Sequence, residues 1–283
     1  VAQVVAEYRE SIADRPKEKS RYKSLLDVLE YEYGDDPASE FGPRKLAELR
    51  SLCVASGNCR RYCNTQTRHI IRIFRHAVSR ELIDISVVGR LETLQPLRPG
   101  QARESKPRKP AVLDDVKATI EHLPPTLAAM VRIQLATAMR PSELFRMRPV
   151  DIDRSDEIWM YRPENHKTAH HEIRKAVPIL GDARQALTPF LFAEDLCFVN
   201  SAGDAWCKDS YRIRIGRACE RAGVPRWTPY QLRRLAVQVV RDALGAEHAQ
   251  ALLGHSRIDM TEVYAKASEQ RAIEAAKVAP RIG

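Results

Sequence analysis

The 283-residue sequence lacks the signatures of several large protein classes. No apolar run approaches the roughly 20 residues of a membrane span, and the N-terminal segment contains no signal-peptide core. It also contains no Gly-rich phosphate loop ending in Lys-Ser or Lys-Thr, no HExxH and no GxSxG motif. These absences argue against a membrane protein, a P-loop nucleotide hydrolase, a zinc protease and an esterase. We therefore expect a cytoplasmic protein with a different chemistry.

Cysteine is present but has no metal-binding pattern. Of the six cysteines, Cys59 and Cys63 lie one helical turn apart, yet no CxxC pair or second cluster completes a tetrahedral ligand set. No carboxylate cluster suggests a pair of metal ions either. A chain of this size needs no disulfides. We predict reduced thiols and no metal or other cofactor.

Positive charge is in excess. The 46 Lys and Arg residues exceed the 37 Asp and Glu residues, which gives a net charge of +9 and a pI near 9.3. Such a balance favours a polyanionic partner. Nucleic acid is the first candidate.

The composition changes at "LRPGQARESKPRKP", residues 97 to 110, where Pro, Gly and basic residues replace the apolar periodicity. This pattern is typical of a linker. It predicts a domain over residues 1–97, a basic linker over 98–110 and a second domain over 111–283. Lys106, Arg108 and Lys109 of the linker are candidate DNA contacts.

The first domain is predicted to be helical, because apolar residues recur at threes and fours near residues 2–13, 19–32, 43–54 and 65–81. In "TQTRHIIRIFRHAVSR" the apolar residues can face a core, while Arg68, Arg72 and Arg75 fall on one helix face. That basic stripe is either a DNA contact or an ordinary solvated surface. Charged faces are common on amphipathic helices, so both interpretations stay open.

The second domain is predicted to mix helices with a small sheet. "TLAAMVRIQLATA" is a strong helix that stops near Arg140, and Pro141 can open another through "SELFRM". "EIWMYR" and "EIRKAVPI" have the character of strands. Further helices are expected near 181–192, 210–222, 229–244, 246–253 and 268–279, with Thr228 as an N-cap. The predicted fold is mostly α with a small β-sheet.

Four short stretches carry the functional signal: "TAMRPSEL", "HKTAHHEIRKAVPI", "TPYQLRR" and "LLGHSRIDMTEVYA". Together and in this order they resemble the conserved boxes of the tyrosine recombinase (phage integrase) family. The resemblance covers the second domain, and the helical, basic first domain is similar in character to the family's core-binding domain. It implies a catalytic set consisting of Arg140, Lys167, Arg233, His255 and Tyr264, with Tyr230 in the second box and Glu143 supporting the arginines.

The roles that the resemblance implies agree with the chemistry of these side chains. Arg140 and Arg233 would stabilise negative charge on a DNA phosphate, with a hydrogen bond from His255. Lys167 would protonate the leaving 5′ oxygen. Tyr264 would be the nucleophile, forming a 3′-phosphotyrosyl intermediate that needs no ATP to reverse.

One position departs from the family pattern, since Tyr230 stands where the second box usually has a histidine. A neutral phenol donates a hydrogen bond well but is a poor base near neutral pH. We therefore expect Tyr230 to contact the phosphate without accepting the proton from Tyr264. His170 and His171 are expected to touch phosphate or solvent rather than a metal.

The sequence thus predicts a site-specific DNA recombinase that acts on double-stranded DNA, with four protomers on two DNA sites as the resemblance implies. Two alternatives stay open: a type IB topoisomerase-like enzyme that acts on one duplex, and a DNA-binding protein that has lost catalysis, which the Tyr230 replacement makes plausible. The final helix can dock on a neighbouring protomer or pack on its own domain.

Overall fold

The computed structural model of the protein describes residues 1–163, 176–253 and 262–282, with side chains described from residue 268 onward in the last range. The chain divides into two compact units, Val1–Pro107 and Arg108–Gly283. The first unit is helical, and the second adds a small antiparallel sheet to its helices. The predicted fold class, mostly α with a small β-sheet, is confirmed.

The first unit contains five α-helices, four of which lie where the apolar spacing predicts them. Pro16 and Pro43 open two of them, at a position where the missing N–H costs nothing. A helix after Asp84 was not predicted; the Asp84 carboxylate caps it by accepting a bond from the backbone N–H of Ser86, at 2.8 Å. The helices are α1 (Ala2–Ser11), α2 (Pro16–Tyr33), α3 (Pro43–Ala55), α4 (Arg60–Ser79) and α5 (Ile85–Glu92).

Helix α4 has the two faces that its sequence predicts. Ile70, Phe74 and Ala77 are buried in the core of the first unit, where Phe74 stacks on Phe41 with ring centroids 4.6 Å apart. The predicted arginine stripe lies on the exposed face. The apolar face thus fixes the orientation of the basic one.

The polypeptide between the predicted domains bonds to each unit in turn. The Leu97 carbonyl accepts from the Asn64 side chain at 3.1 Å, and Arg60 pairs with Glu104 at 2.5 Å, so this part belongs to the first unit. The Lys109 carbonyl accepts from the Gln231 side chain at 3.1 Å within the second unit. The side chains of Lys106, Arg108 and Lys109 are exposed.

The described part of the second unit contains eight α-helices. One of them, residues 113–120, was not predicted, and the predicted helix at 181–192 ends early and continues as a short 3₁₀ turn. The prediction for the last helix was wrong at its start, because it begins at Glu262 rather than near 268. The helices are α6 (Leu113–Ile120), α7 (Pro125–Thr137), α8 (Pro141–Leu144), α9 (Gly181–Leu187), α10 (Lys208–Arg221), α11 (Pro229–Leu244), α12 (Ala246–Leu252) and α13 (Glu262–Val278).

The sheet of the second unit has three short antiparallel strands in the order β1-β2-β3 within the described ranges: β1 (Ile152–Asp153), β2 (Trp159–Tyr161) and β3 (Val177–Ile179). Tyr161 pairs with Ile152 on one side and with Val177 on the other. The first predicted strand is thus shorter than predicted, and the second is observed over Val177–Ile179. Residues 172 to 175 of the second one lie outside the described ranges.

Helix α13 packs on α11 and α12 of its own unit through small side chains, which is one of the two packings that the sequence leaves open. The buried cluster consists of Ala236, Val240, Ala249, Leu252, Ala275, Ala276 and Ala279, together with Ala138. Alanines allow the three helices to approach closely. No helix in the described ranges is long and apolar enough to cross a membrane.

Candidate active site

Arg140 is held by the turn between α7 and α8. Ala138 ends α7 in the left-handed conformation, with φ of 51°, and Pro141 then opens α8. The backbone N–H of Arg140 donates to Glu143 Oε2 at 2.7 Å, and its guanidinium donates to Oε1 of the same carboxylate at 3.1 Å. Both ends of Arg140 are thus tied to one buried carboxylate.

Arg233 lies in the first turns of α11 and is only 8% exposed. Its guanidinium donates to the Ala138 carbonyl at 2.5 Å and to the Leu253 carbonyl at 3.3 Å. Ala138 lies two residues before Arg140, and Leu253 lies two residues before His255. The Arg233 side chain therefore bonds to the turn before Arg140 and to the last described residue before 254–261, the range that contains His255.

The two guanidinium groups interact electrostatically. Burial, and after it the Arg140 cation, lower the pKa of Arg233 to about 10, although the Glu143 carboxylate and Tyr230 oppose these effects. Arg233 therefore stays protonated at neutral pH although it is buried. Two cations beside a single carboxylate suit the binding of an oxyanion.

Tyr230 is the second residue of α11 and is 42% exposed. It lines a cleft of about 420 Å³ that Arg233 and Leu253 also line. Two further cations of α11, Arg234 and Arg241, line the same cleft, and the sequence interpretation missed them. Their spacing of seven residues, which returns to the same face of a helix, is a signal that would have found them.

The other predicted catalytic residues fall wholly or partly outside the described residues. Lys167, His170, His171 and His255 lie in residues 164–175 and 254–261. Tyr264 lies in the first turn of α13, but its side chain is not described. The structure therefore brings together Arg140, Glu143, Tyr230 and Arg233 of the predicted set.

Helix α13, which carries Tyr264, is anchored to its own unit by polar contacts after its first turns. Glu269 pairs with Arg162 at 2.9 Å, directly before residues 164–175, and Glu274 accepts from His248 of α12 at 3.0 Å. The bond from His248 is the main cause that holds the pKa of Glu274 below its ordinary value. These contacts fix α13 on its own unit from a point five residues after Tyr264.

A second basic surface lies on the first unit. The side chains of Arg68, Arg72 and Arg75 line a concave region of about 1000 Å³ beside α4. Arg75 is already paired with Glu92, whereas Arg72 has no ion-pair partner among the residues of this unit. The surface has the charge and breadth for a nucleic-acid backbone.

The arginines of α10 are a basic set that the sequence interpretation missed. Arg214, Arg217 and Arg221 line a cleft of about 430 Å³, where Arg221 also donates to the His122 carbonyl at 2.6 Å. Their spacing of three and four residues matches that of the stripe on α4 and was visible in the sequence. In the described part of the chain, no group of three or more His, Cys, Asp or Glu residues has an arrangement that could hold a metal ion.

The second unit matches a known protein family by its sequence. Residues 111–271, more than half of the chain, match the model of the phage integrase family. A tyrosine recombinase XerC from Herpetosiphon aurantiacus is 27% identical over 172 residues, which cover 54% of this chain and 52% of that protein. This chain thus spans about half the length of that relative.

Solved structures extend the likeness to the whole fold. A lambda integrase dimer bound to a COC′ core site has a TM-score of 0.73 at 16% identity and covers 92% of this chain and 97% of its own. A lambda integrase tetramer bound to a Holliday junction has a TM-score of 0.71 at 17% identity, covering 92% and 78%. At such identities the likeness establishes the fold.

Proposed function

The chain belongs to the phage integrase family, and on that premise we propose that it is a site-specific DNA recombinase that cleaves and rejoins double-stranded DNA through a 3′-phosphotyrosyl intermediate. The observation that carries the proposal is the convergence of Arg140 and Arg233 beside Glu143. Similar proteins are named as tyrosine recombinases. The reaction requires no ATP, because the phosphotyrosyl bond keeps the energy of the phosphodiester, and the two guanidinium groups supply the positive charge that a metal ion provides in other phosphoryl-transfer enzymes.

Arg140 and Arg233 bind the non-bridging oxygens of the scissile phosphate. Attack on phosphorus increases the negative charge on these oxygens, so cations that are already in place lower the barrier most. Guanidinium groups suit this task, since they stay charged and donate two hydrogen bonds at once. Glu143 orients Arg140, because both carboxylate oxygens are bonded to that residue.

The phenol oxygen of Tyr264 attacks phosphorus as the bond to the 5′ oxygen breaks. Lys167 supplies the proton to the departing 5′ oxygen, and His255 donates a hydrogen bond to the same phosphate. In the reverse step a 5′ hydroxyl of a second strand attacks the phosphotyrosyl bond and releases Tyr264. Tyr230 contributes a hydrogen bond to the phosphate, and the proton lost by Tyr264 passes to water.

The partner is double-stranded DNA, held by basic side chains of both units. Contacts to backbone phosphates set the position of the protein on the duplex and carry no sequence information by themselves. Four protomers act on two DNA sites, and the protein works in the cytoplasm on the nucleoid. The proposed phosphate contacts are Arg68, Arg72, Arg75, Lys106, Arg108, Lys109, His170 and His171.

A trapping experiment tests the nucleophile. Binding sites are first selected from random duplexes with the Tyr264→Phe protein, and the wild type is then given those sites with a nick that lets the cleaved fragment escape. We expect a covalent adduct whose peptide map places DNA on Tyr264, and none with Tyr264→Phe. DNA binding without an adduct would favour the catalytically impaired DNA-binding protein.

A second assay separates strand exchange from topoisomerase action. Two labelled duplexes that carry the selected site are mixed with the wild type, and a supercoiled plasmid is treated in parallel. Recombinant duplexes are expected from the pair. Relaxed plasmid without any recombinant product would instead assign a type IB topoisomerase-like activity.

A further inference from the structure

A buried amide lies between the two arginine-bearing segments of the second unit. Gln134, on the mostly apolar helix α7, is completely buried. Its Nε2 atom donates to the Pro229 carbonyl at 3.1 Å and to the Met139 carbonyl at 3.3 Å. Its Oε1 atom accepts from the Tyr211 hydroxyl at 3.4 Å. The polar atoms of this side chain are therefore all used.

The two carbonyls that Gln134 binds belong to the polypeptide next to the proposed phosphate-binding arginines. Met139 directly precedes Arg140, and Pro229 lies one turn before Arg233 on α11. One amide group therefore joins the end of α7 to the start of α11. Because the Tyr211 hydroxyl donates to Oε1, the amide is oriented with its NH₂ group toward both carbonyls.

An apolar side chain would fill this core position without the desolvation that an amide suffers on burial. A purely packing role therefore does not account for Gln134. The distance between the two arginine segments has to be maintained to a fraction of an ångström for both guanidinium groups to meet one phosphate. Arg233 itself donates to the Ala138 carbonyl, beside Met139, so the Gln134 amide and the Arg233 guanidinium bind neighbouring carbonyls of the same turn.

We propose that Gln134 is a positioning residue that keeps Arg140 and Arg233 at the separation required to grip one phosphate, with Tyr211 orienting its amide. This inference rests on the proposed function, since it assigns the two arginines to the same scissile phosphate. Gln134 acts on the chemical step and not on the recognition of DNA.

The test compares cleavage with binding in Gln134→Leu. At saturating nicked DNA the rate of adduct formation is expected to fall by about 10- to 100-fold, the usual effect of a small misplacement of catalytic groups. The Kd for the same DNA is expected to stay within about threefold, because phosphate contacts outside the site dominate affinity. Tyr211→Phe, which frees the amide to rotate but leaves both carbonyl bonds possible, is expected to reduce the rate less.

Leu127→Ala is the matched control, since Leu127 is a buried residue of the same helix outside this hydrogen-bond set. It lowers stability by leaving a cavity, and we expect its adduct rate to match that of the wild type at a temperature where all variants are folded. Equal losses of rate in Leu127→Ala and Gln134→Leu would overturn the proposal, because the effect would then follow stability alone.

A modified substrate gives a readout that a structural role would not move. Replacing one non-bridging oxygen of the scissile phosphate by a methyl group removes its charge and reduces the demand on the arginines. The deficit of Gln134→Leu relative to wild type is expected to shrink at least several-fold on this substrate. An unchanged deficit would contradict an action through the two guanidinium groups.

Hydrogen exchange distinguishes failure of this inference from failure of the proposed function. Gln134→Leu is expected to accelerate exchange at residues 138–143 and 229–233 together, and Leu127→Ala is not. If the wild type forms no adduct, the proposed function fails, but the exchange data still test whether Gln134 couples residues 138–143 to residues 229–233. Unaltered exchange in both segments would overturn the positioning role whatever the activity.

Discussion

The left-handed conformation of Ala138 gives a prediction whose magnitude follows from the structure. At φ of 51° an L-residue is strained by about 1–2 kcal/mol, and glycine is not. Ala138→Gly therefore relieves this strain, but the glycine loses more conformational entropy on folding, which costs roughly 0.5–1 kcal/mol. It also removes a fully buried methyl group, worth about 0.8 kcal/mol. These terms nearly cancel, so we expect a free energy of unfolding within about 1 kcal/mol of wild type.

The matched control is Ala129→Gly, at a buried alanine of helix α7. This site has no strain to relieve, so the same entropy and methyl terms add to a loss of about 1.3–1.8 kcal/mol. The difference between the two variants isolates the strain at residue 138.

Equilibrium unfolding in urea measures both variants. The three tryptophans, Trp159, Trp206 and Trp227, all lie in the second unit, so their fluorescence follows that unit without interference from the first. An equal loss of stability in Ala138→Gly and Ala129→Gly would refute the strain argument.

Three further predictions concern charged groups. Arg72→Gln is expected to make the plot of log binding constant against log salt less steep by about 0.9. Arg75→Gln should change this slope less, because the Arg75 guanidinium is already ion-paired. The same slope in Arg72→Gln and the wild type would contradict a phosphate contact at Arg72. Arg241→Gln in the site cleft is expected to weaken DNA binding without changing the adduct rate at saturating DNA, and a loss of rate alone would place it in the chemical step. The hydrogen bond from His248 depresses the pKa of Glu274, so the stabilising effect of this bond is present above pH ~4.5 and is lost as the pH falls further. The difference in urea midpoint between wild type and Glu274→Gln should therefore shrink from pH 6 to pH 3.5. A constant difference would refute this pH dependence.

Local patterns predict the elements of this fold better than their ends. The spacing of apolar residues is sufficient to predict α4, because Ile70, Phe74 and Ala77 repeat with the period of a helix. The same reasoning starts α13 too late, because the segment around Tyr264 has no clear apolar stripe and is helical in its tertiary context. Helix α5 was missed for a related reason, since it is short and its start depends on the single cap at Asp84.

The candidate site is predictable only where the neighbouring sequence constrains a residue. Arg140 stands out because a helix stop and Pro141 surround it. Nothing in the sequence indicates that Arg233 bonds to Ala138 or that Gln134 bonds to Pro229, since each contact joins residues 95 positions apart in the chain. Hydrophobic periodicity marks the face of a helix and carries no information on such polar contacts.

The burial of Arg233 makes a final prediction, that stability and activity respond differently to its removal. Its pKa is about 10 against an ordinary 12.5, which corresponds to a cost of about 3 kcal/mol for keeping the charge in the folded protein. Since the pKa is lower in the folded state, this cost applies at all pH values below about 10 and is relieved only as the pH rises above that value. The charge is therefore maintained at the expense of stability throughout the range in which DNA is bound.

Arg233→Met removes this charge and keeps an apolar side chain of similar length. It also leaves the carbonyls of Ala138 and Leu253 without their bond, at about 1–3 kcal/mol each, so the gain and the loss are of similar size. We expect the free energy of unfolding, followed by urea titration, to change by less than about 3 kcal/mol, while adduct formation falls to the level of Tyr264→Phe. A variant that unfolds would show that Arg233 serves the fold first, and one that still forms the adduct would remove Arg233 from the reaction.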